Sequence, residues 1–245
     1  MFTLITRFSI SLLIILLYGP FQGLSQHIKD PTSEQITDFF DQVYGVDQRL
    51  VSGYFYYGPR KGSINGHAYF MDDTWKKGSI STDNRVYKNV DLKYDIESNQ
   101  VILKYQSLNH SEQQIAIQKE HIDTFWMNDR TFVPFPDYRP DSSIIFCELL
   151  VSGEIDFLVL KRKILQLTNG GTNDFEYQEY VNQYLRIEDQ LIQFKGERMI
   201  YRLFPQVKRE LRKFKKSEGL ILWRSKIHDR KIMIEHCNML LLRNK

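Results

Sequence analysis

Between Arg85 and Tyr105 the chain reads RVYKNVDLKYDI, then ESNQ, then VILKY. In an extended first run Val86, Val90, Leu92, Tyr94 and Ile96 share one face, while Asp91, Lys93 and Asp95 share the other. That two-residue period is the pattern of a strand with one buried side. The polar ESNQ reverses the chain, and Val101, Leu103 and Tyr105 alternate in the run that returns. Two alternating runs joined by a tight turn read as an antiparallel hairpin. Asp83-Asn84 marks a turn of the same kind just before it.

The pattern continues in both directions. LVSGYFYYG is aromatic and β-prone, with Tyr54 and Tyr56 on one side and Phe55 and Tyr57 on the other, and one of those sides is expected to face the core. QQIAIQ, IDTFWM and TFVPF are short strands by composition, and PFPDYRP is expected to end a sheet edge, because proline cannot donate to a ladder. SSIIFCELLV, the Ser152-Gly153 turn and EIDFLVLKRKIL are expected to form the longest hairpin, apolar enough to lie centrally. LTNGGTNDFEYQEY reads as a polar loop, and QYLRI and LIQFKG as a last hairpin.

Helical spacing appears at the two ends. In DPTSEQITDFFDQVYG, Thr32 and Gln35 fit a capping box, and Ile36, Phe39, Phe40 and Val43 form one stripe. From Glu197 to Glu218 the apolar Val207, Leu211 and Phe214 recur at helical spacing, with a bend or restart near Pro205. HDRKIMIEHCNMLLL adds another helix. The expected fold is α+β and mainly β: an antiparallel meander sheet or partly closed β-roll with an N-terminal helix and a C-terminal helical cap. Residues 26–196 would form the first part and 197–245 the cap.

The first residues carry one charge, Arg7, an apolar run from Ile10 to Leu17, a Gly19-Pro20 break and small residues at Gly23 and Ser25. That is the layout of a secretory signal peptide, with cleavage expected after Ser25. The apolar run is shorter than the about 20 residues a membrane helix needs, and no later stretch approaches that length. The expected product is an exported soluble protein, in the periplasm or outside the cell. Losing Arg7 lowers the formal charge from +3 to +2, a balance that predicts no general attraction to nucleic acid. The export compartment would allow Cys147 and Cys237 to pair, although the apolar surroundings of both favour two buried thiols.

Chemistry-bearing motifs are sparse. There is no G-x-S-x-G elbow, no phosphate-binding glycine loop and no zinc-helix spacing among the histidines, so no cofactor or metal is expected. His228 and His236 lie eight residues apart and read as helix-face residues. Asp72 and Asp73, with His67 nearby, are the candidate catalytic residues, but adjacent residues on an extended chain point apart and Asp favours turns. The expected binding residues are Tyr54 and Tyr56 in the aromatic strand and Lys208, Arg209, Arg212, Lys213 and Lys216 on the basic helix VKRELRKFKKSEG. Such a face suits a lipid headgroup, a glycan or an acidic protein, although a solvated helix face is the more ordinary reading of a charge run on an amphipathic helix.

The run GHAYFMDDTWKKGSISTDNRVYKNVDLKYDIESNQVILKY resembles a recurring stretch in uncharacterised exported proteins of Bacteroidota, and LFPQVKRELRKFKKSEGL resembles their basic C-terminal helix. The resemblance implies export and a β-then-helix layout, and it carries over no catalytic residue. With catalytic motifs lacking and an aromatic strand and a basic helix present, the function expected is a non-enzymatic envelope binding or interaction module. The alternative is a hydrolase acting on an envelope or dietary polymer.

Overall fold

A computed structural model describes residues 50–59, 62–83, 85–107, 109–135, 144–168, 174–188, 190–223 and 225–243. All of them belong to one compact unit, Asp41–Lys245. The expected signal peptide and the helix read in DPTSEQITDFFDQVYG lie outside the described residues.

The strands are β1 (Gly53–Phe55), β2 (Ile64–Asn65), β3 (Lys76–Thr82), β4 (Arg85–Asp95), β5 (Gln100–Gln106), β6 (Glu112–Ile117), β7 (Ile122–Met127), β8 (Arg130–Phe135), β9 (Ile145–Val151), β10 (Ile155–Leu167), β11 (Phe175–Ile187) and β12 (Gln190–Gln193). Three helices follow: α1 (Glu197–Leu203), α2 (Lys208–Ser217) and α3 (Ile227–Arg243). The strands make one sheet in the order β1-β6-β5-β4-β3-β7-β8-β9-β10-β11-β12. Every pairing is antiparallel except that of β2, which joins β11 in parallel. Two meanders, β3 to β6 and β7 to β12, are fused where β3 pairs with β7.

The connection from β6 to β7 forces this sheet to curl. The two strands are four places apart in it, about 19 Å across a flat sheet. Only Gln118 and the 3-10 turn Lys119–His121 join them. The curl is visible further along, where β4 and β9 are also four places apart. There the Tyr94 hydroxyl on β4 donates to the Phe146 carbonyl on β9 at 3.1 Å. The Lys163 N–H of β10 likewise reaches the Ile96 carbonyl at 3.1 Å. The strand path itself is open, with β1 and β12 at its ends.

Inside the curl lies an aromatic core. Phe125 and Phe132 stack at 4.5 Å, and Tyr94 and Phe146 meet Phe125 edge-on at 5.3 and 5.2 Å. A second core forms where β10 to β12 meet the helices. Phe157, Val159, Leu185 and Phe194 there bury Ile200, Val207, Leu211, Met233 and Ile234. Burying side chains of this size contributes about 1.5–3 kcal/mol each, which is what holds short, individually unstable helices on the sheet.

Four readings of the sequence are corrected. Val86 does not share the buried face of Leu92 and Tyr94; it is 53% exposed and Tyr87 is buried instead. Between Gly78↔Val90 and Ile80↔Tyr87 β4 spends one residue more than β3, a bulge with Asn89 at φ 56. One extra residue reverses the face on which every side chain beyond it falls. In β1 neither side is core, since Tyr54 and Phe55 are both exposed on a three-residue edge strand. β8 does end within PFPDYRP, at Phe135, and Pro134 is tolerated inside it because β8 pairs with β7 only through Arg130–Phe132 and Pro134 lies past that ladder. Residues 175–180, read as loop, are the first half of β11, and the longest hairpin is β10–β11, paired from Ile155↔Ile187 to Leu167↔Phe175.

The restart near Pro205 is a 3-10 turn, Pro205–Val207, between α1 and α2. Both cysteines are free and buried, in different cores. Burial pushes each thiol up to about 12. Among the described residues no helix is long and apolar enough to cross a membrane.

Candidate functional site

Asp72 and Asp73 follow Met71, whose φ of 60 starts a turn between the Ala68–Phe70 segment and β3. The Asp72 Oδ1 accepts the Thr74 N–H at 2.9 Å and also the Thr74 hydroxyl, and Oδ2 pairs with Lys76 at 2.9 Å. Thr74 first and Lys76 second hold the Asp72 carboxyl down to about 2. Asp73 pairs with Lys93, whose ammonium also lies 4.6 Å from the Tyr69 ring and 4.8 Å from the Trp75 ring. The side chains of both aspartates are thus engaged in an exposed turn.

His67 lies under a different set of contacts. Its Nδ1 accepts the Tyr69 N–H at 3.2 Å, and its ring stacks on Tyr69 at 6.2 Å. Lys163 of β10 donates to the carbonyls of His67 and Tyr69, both at 2.8 Å, with its Nζ 3.3 Å from the His67 Nδ1. Burial, and after it the Lys163 charge, lower the His67 pKa. Among the described residues no hydrogen bond joins His67 to either aspartate. A general base needs a free lone pair facing substrate, and the Nδ1 lone pair is occupied.

Tyr56 points inward from the exposed aromatic stretch. Its hydroxyl donates to Asp95 Oδ2 at 2.7 Å and lies 3.4 Å from that of Tyr69. Asp95 is 1% exposed, and its Oδ1 accepts the N–H groups of Glu97 and Ser98, both at 2.9 Å. Burial first, and its hydrogen bonds next, raise the Tyr56 pKa. Tyr56 is therefore a tie between β1 and the end of β4, whereas Tyr54 stays exposed.

The basic helix leads to a different place. α2 buries Leu211 against the second core and leaves Arg209, Arg212, Lys213 and Lys216 exposed and Lys208 half-buried. Arg212 lies over the Tyr201 ring of α1 at 5.2 Å. It helps to line a cavity of about 590 Å³ with Tyr201, Lys215, Lys216 and Arg198. A second cavity, of about 700 Å³, has Lys195, Arg198, Arg202 and Lys215 around it, Met199, Leu220 and Leu222 on its walls, and Trp223. Glu197, Arg198, Lys215 and Leu220 line both, so the two form one cleft, and the Lys215–Glu197 ion pair lies at their junction.

Six cations and a single carboxylate thus surround the cleft. Among the described residues no acidic group pairs with Lys195, Arg198, Arg202 or Lys216. A cleft lined by one sign of charge focuses potential and concentrates ions of the other sign. The local chain explains the geometry. Gly196 has φ 149, a backbone that other residues rarely adopt, and it turns the chain from β12 directly into α1. Arg198 and Arg202 then fall one helical turn apart on the same face.

Of the residues expected from the sequence, Arg212 and Lys216 line this cleft, and Lys208, Arg209 and Lys213 line neither cavity. Tyr54, Tyr56, His67, Asp72 and Asp73 lie elsewhere on the molecule. Sequence reasoning missed Lys195, Arg198, Arg202 and Trp223; the i, i+4 spacing of the two arginines was the available signal. Among the described residues no group of three or more His, Cys, Asp or Glu side chains is placed to hold a metal ion. Compared with known proteins, the chain matches no family model, no curated protein and no solved structure.

Proposed function

We propose that this protein is exported, as its resemblance to exported Bacteroidota proteins implies, that it is a non-enzymatic binding module of the cell envelope, and that it holds an anionic envelope component in the cleft between α1 and the α2–α3 connection. One observation carries this reading: six cationic side chains converge on two adjoining cavities with only Glu197 to balance them. Clefts of about 300–1,000 Å³ are the usual size for small ligands. Arg is suited to phosphate or carboxylate because its planar fork meets two oxygens at once.

The rival reading, a polymer hydrolase working through His67, Asp72 and Asp73, draws less support. Each of those groups is already engaged by a backbone or lysine partner, and two carboxyls in an exposed turn lack the facing arrangement that glycoside cleavage needs.

Native mass spectrometry of the protein purified gently from its own cell envelope tests the proposal. The expected result is a retained anionic small molecule that is absent from an Arg198→Glu/Arg202→Glu variant. A wild-type protein that flies bare, and remains bare after incubation with envelope extract, would overturn it.

A further inference from the structure

We infer that the ligand of the basic cleft is an anionic amphiphile, a phosphate- or carboxylate-headed molecule with an alkyl chain, rather than a fully hydrated anion. The inference rests on the anion-binding reading above and adds the apolar half of the same cleft. The larger cavity carries its cations on one set of residues, Lys195, Arg198, Arg202 and Lys215, and apolar surface on another, Met199, Leu220, Ile221, Leu222 and Trp223. Trp223 is 72% exposed and Ile221 is 44% exposed, although Leu220 and Leu222 on either side of Ile221 are buried in the core. Large side chains left in water beside a cavity mark surface that a ligand covers.

A bare phosphate in this cleft would satisfy the arginines and leave the apolar wall wet. A neutral alkyl ligand would do the reverse and strand desolvated cations. An amphiphile satisfies both walls. Its head group sits where Arg198 and Lys215 line both cavities, and Lys215 exchanges its Glu197 partner for the ligand oxygen. Its chain runs along Met199 and Leu222 toward Trp223.

Calorimetric titration of the full chain with butyl, hexyl and octyl phosphate, each below its micelle concentration, tests this, with inorganic phosphate and octyl maltoside alongside. The expected result is affinity rising about threefold to fourfold with each methylene, the effect of burying one CH₂. Trp223→Ala should flatten that dependence while butyl phosphate still binds. Arg198→Glu/Arg202→Glu, two exposed changes checked for intact fold by circular dichroism, should abolish binding, and Lys213→Glu should leave it unchanged.

Affinity equal for phosphate and octyl phosphate would overturn the amphiphile and leave the anion-binding reading standing. No binding of any anion, or octyl maltoside binding as well as octyl phosphate, would overturn both. Adsorption to anionic phosphatidylglycerol vesicles that octyl phosphate fails to compete away would also overturn the inference, because the contact would then be with a membrane surface and not with a single molecule in the cleft.

Discussion

Asn238 of α3 grips both backbone groups of Ile155 at the start of β10: its Nδ2 donates to the Ile155 carbonyl and its Oδ1 accepts the Ile155 N–H, each at 2.9 Å. A side-chain amide here completes a ladder position where the sheet meets the helix. A Cβ on Gly153 would lie 2.6 Å from the Asn238 Nδ2, so the turn before β10 has no room for one. Asn238→Leu leaves two buried backbone groups without partners and should cost about 2–4 kcal/mol in denaturant unfolding. Gly153→Ala should cost about 1–3 kcal/mol through overpacking, and much less once Asn238 is already Ala.

Arg230 makes a comparable tie in charged form. It is 1% exposed, and its guanidinium donates to the Leu222 carbonyl at 3.0 and 3.2 Å, to Gln183 Oε1 at 2.7 Å and to the Phe194 carbonyl at 3.3 Å. It also lies 4.5 Å over the Phe194 ring. Arg230→Met should destabilise by about 3 kcal/mol or more, since several buried acceptors lose their donor together. Arg230→Lys should recover little of this, because a single ammonium cannot replace a fork. Thermal unfolding of the two variants beside wild type checks both statements.

A milder loss is expected at the other end of the sheet. Tyr56→Phe removes one hydroxyl from the nearly fully buried Asp95 and keeps the ring, so it should cost about 1.5–3 kcal/mol, the range for a hydrogen bond to a charged group. Tyr54→Phe, at an exposed position of the neighbouring β1, should change stability by less than about 0.5 kcal/mol.

His236 supplies a pH dependence. Its ring stacks on Phe214 at 3.6 Å, and burial, followed by the Arg243 charge, lowers its pKa from 6.5. Below pH 6.5 the unfolded chain binds a proton that the folded protein resists, so stability falls as pH drops from 6.5 toward the folded value. A ring-proton NMR titration should give a His236 midpoint under 6.5, and His236→Phe should remove this part of the acid loss. A midpoint at or above 6.5 would contradict the burial account.

How far the sequence carried these results differs from one element to the next. The β4–β5 hairpin was legible because Leu92, Lys93 and Tyr94 alternate and the polar ESNQ separates that run from the apolar Val101–Leu103. Val86 was misread because a bulge at Asn89 leaves no mark in a hydrophobic period. The first half of β11 was misread as loop for a related reason. Its residues are mostly polar and solvent-facing, so pairing with β10, and not burial, makes them a strand. The basic charge of α2 was legible residue by residue. The cleft was not, since it is built when α1, carrying Arg198 and Arg202, folds against α2 across a proline turn, and Lys195 joins them only through the turn at Gly196.

The measurement that bears most directly on the central claim is amide chemical-shift mapping of the isotope-labelled protein titrated with pyrophosphate. Saturable shifts grouped on residues 195–202 and 212–223, and lost in Arg198→Glu/Arg202→Glu, are the predicted result. Shifts grouped on Tyr56, His67 and Asp73, or no saturable shift at millimolar pyrophosphate, would contradict the account.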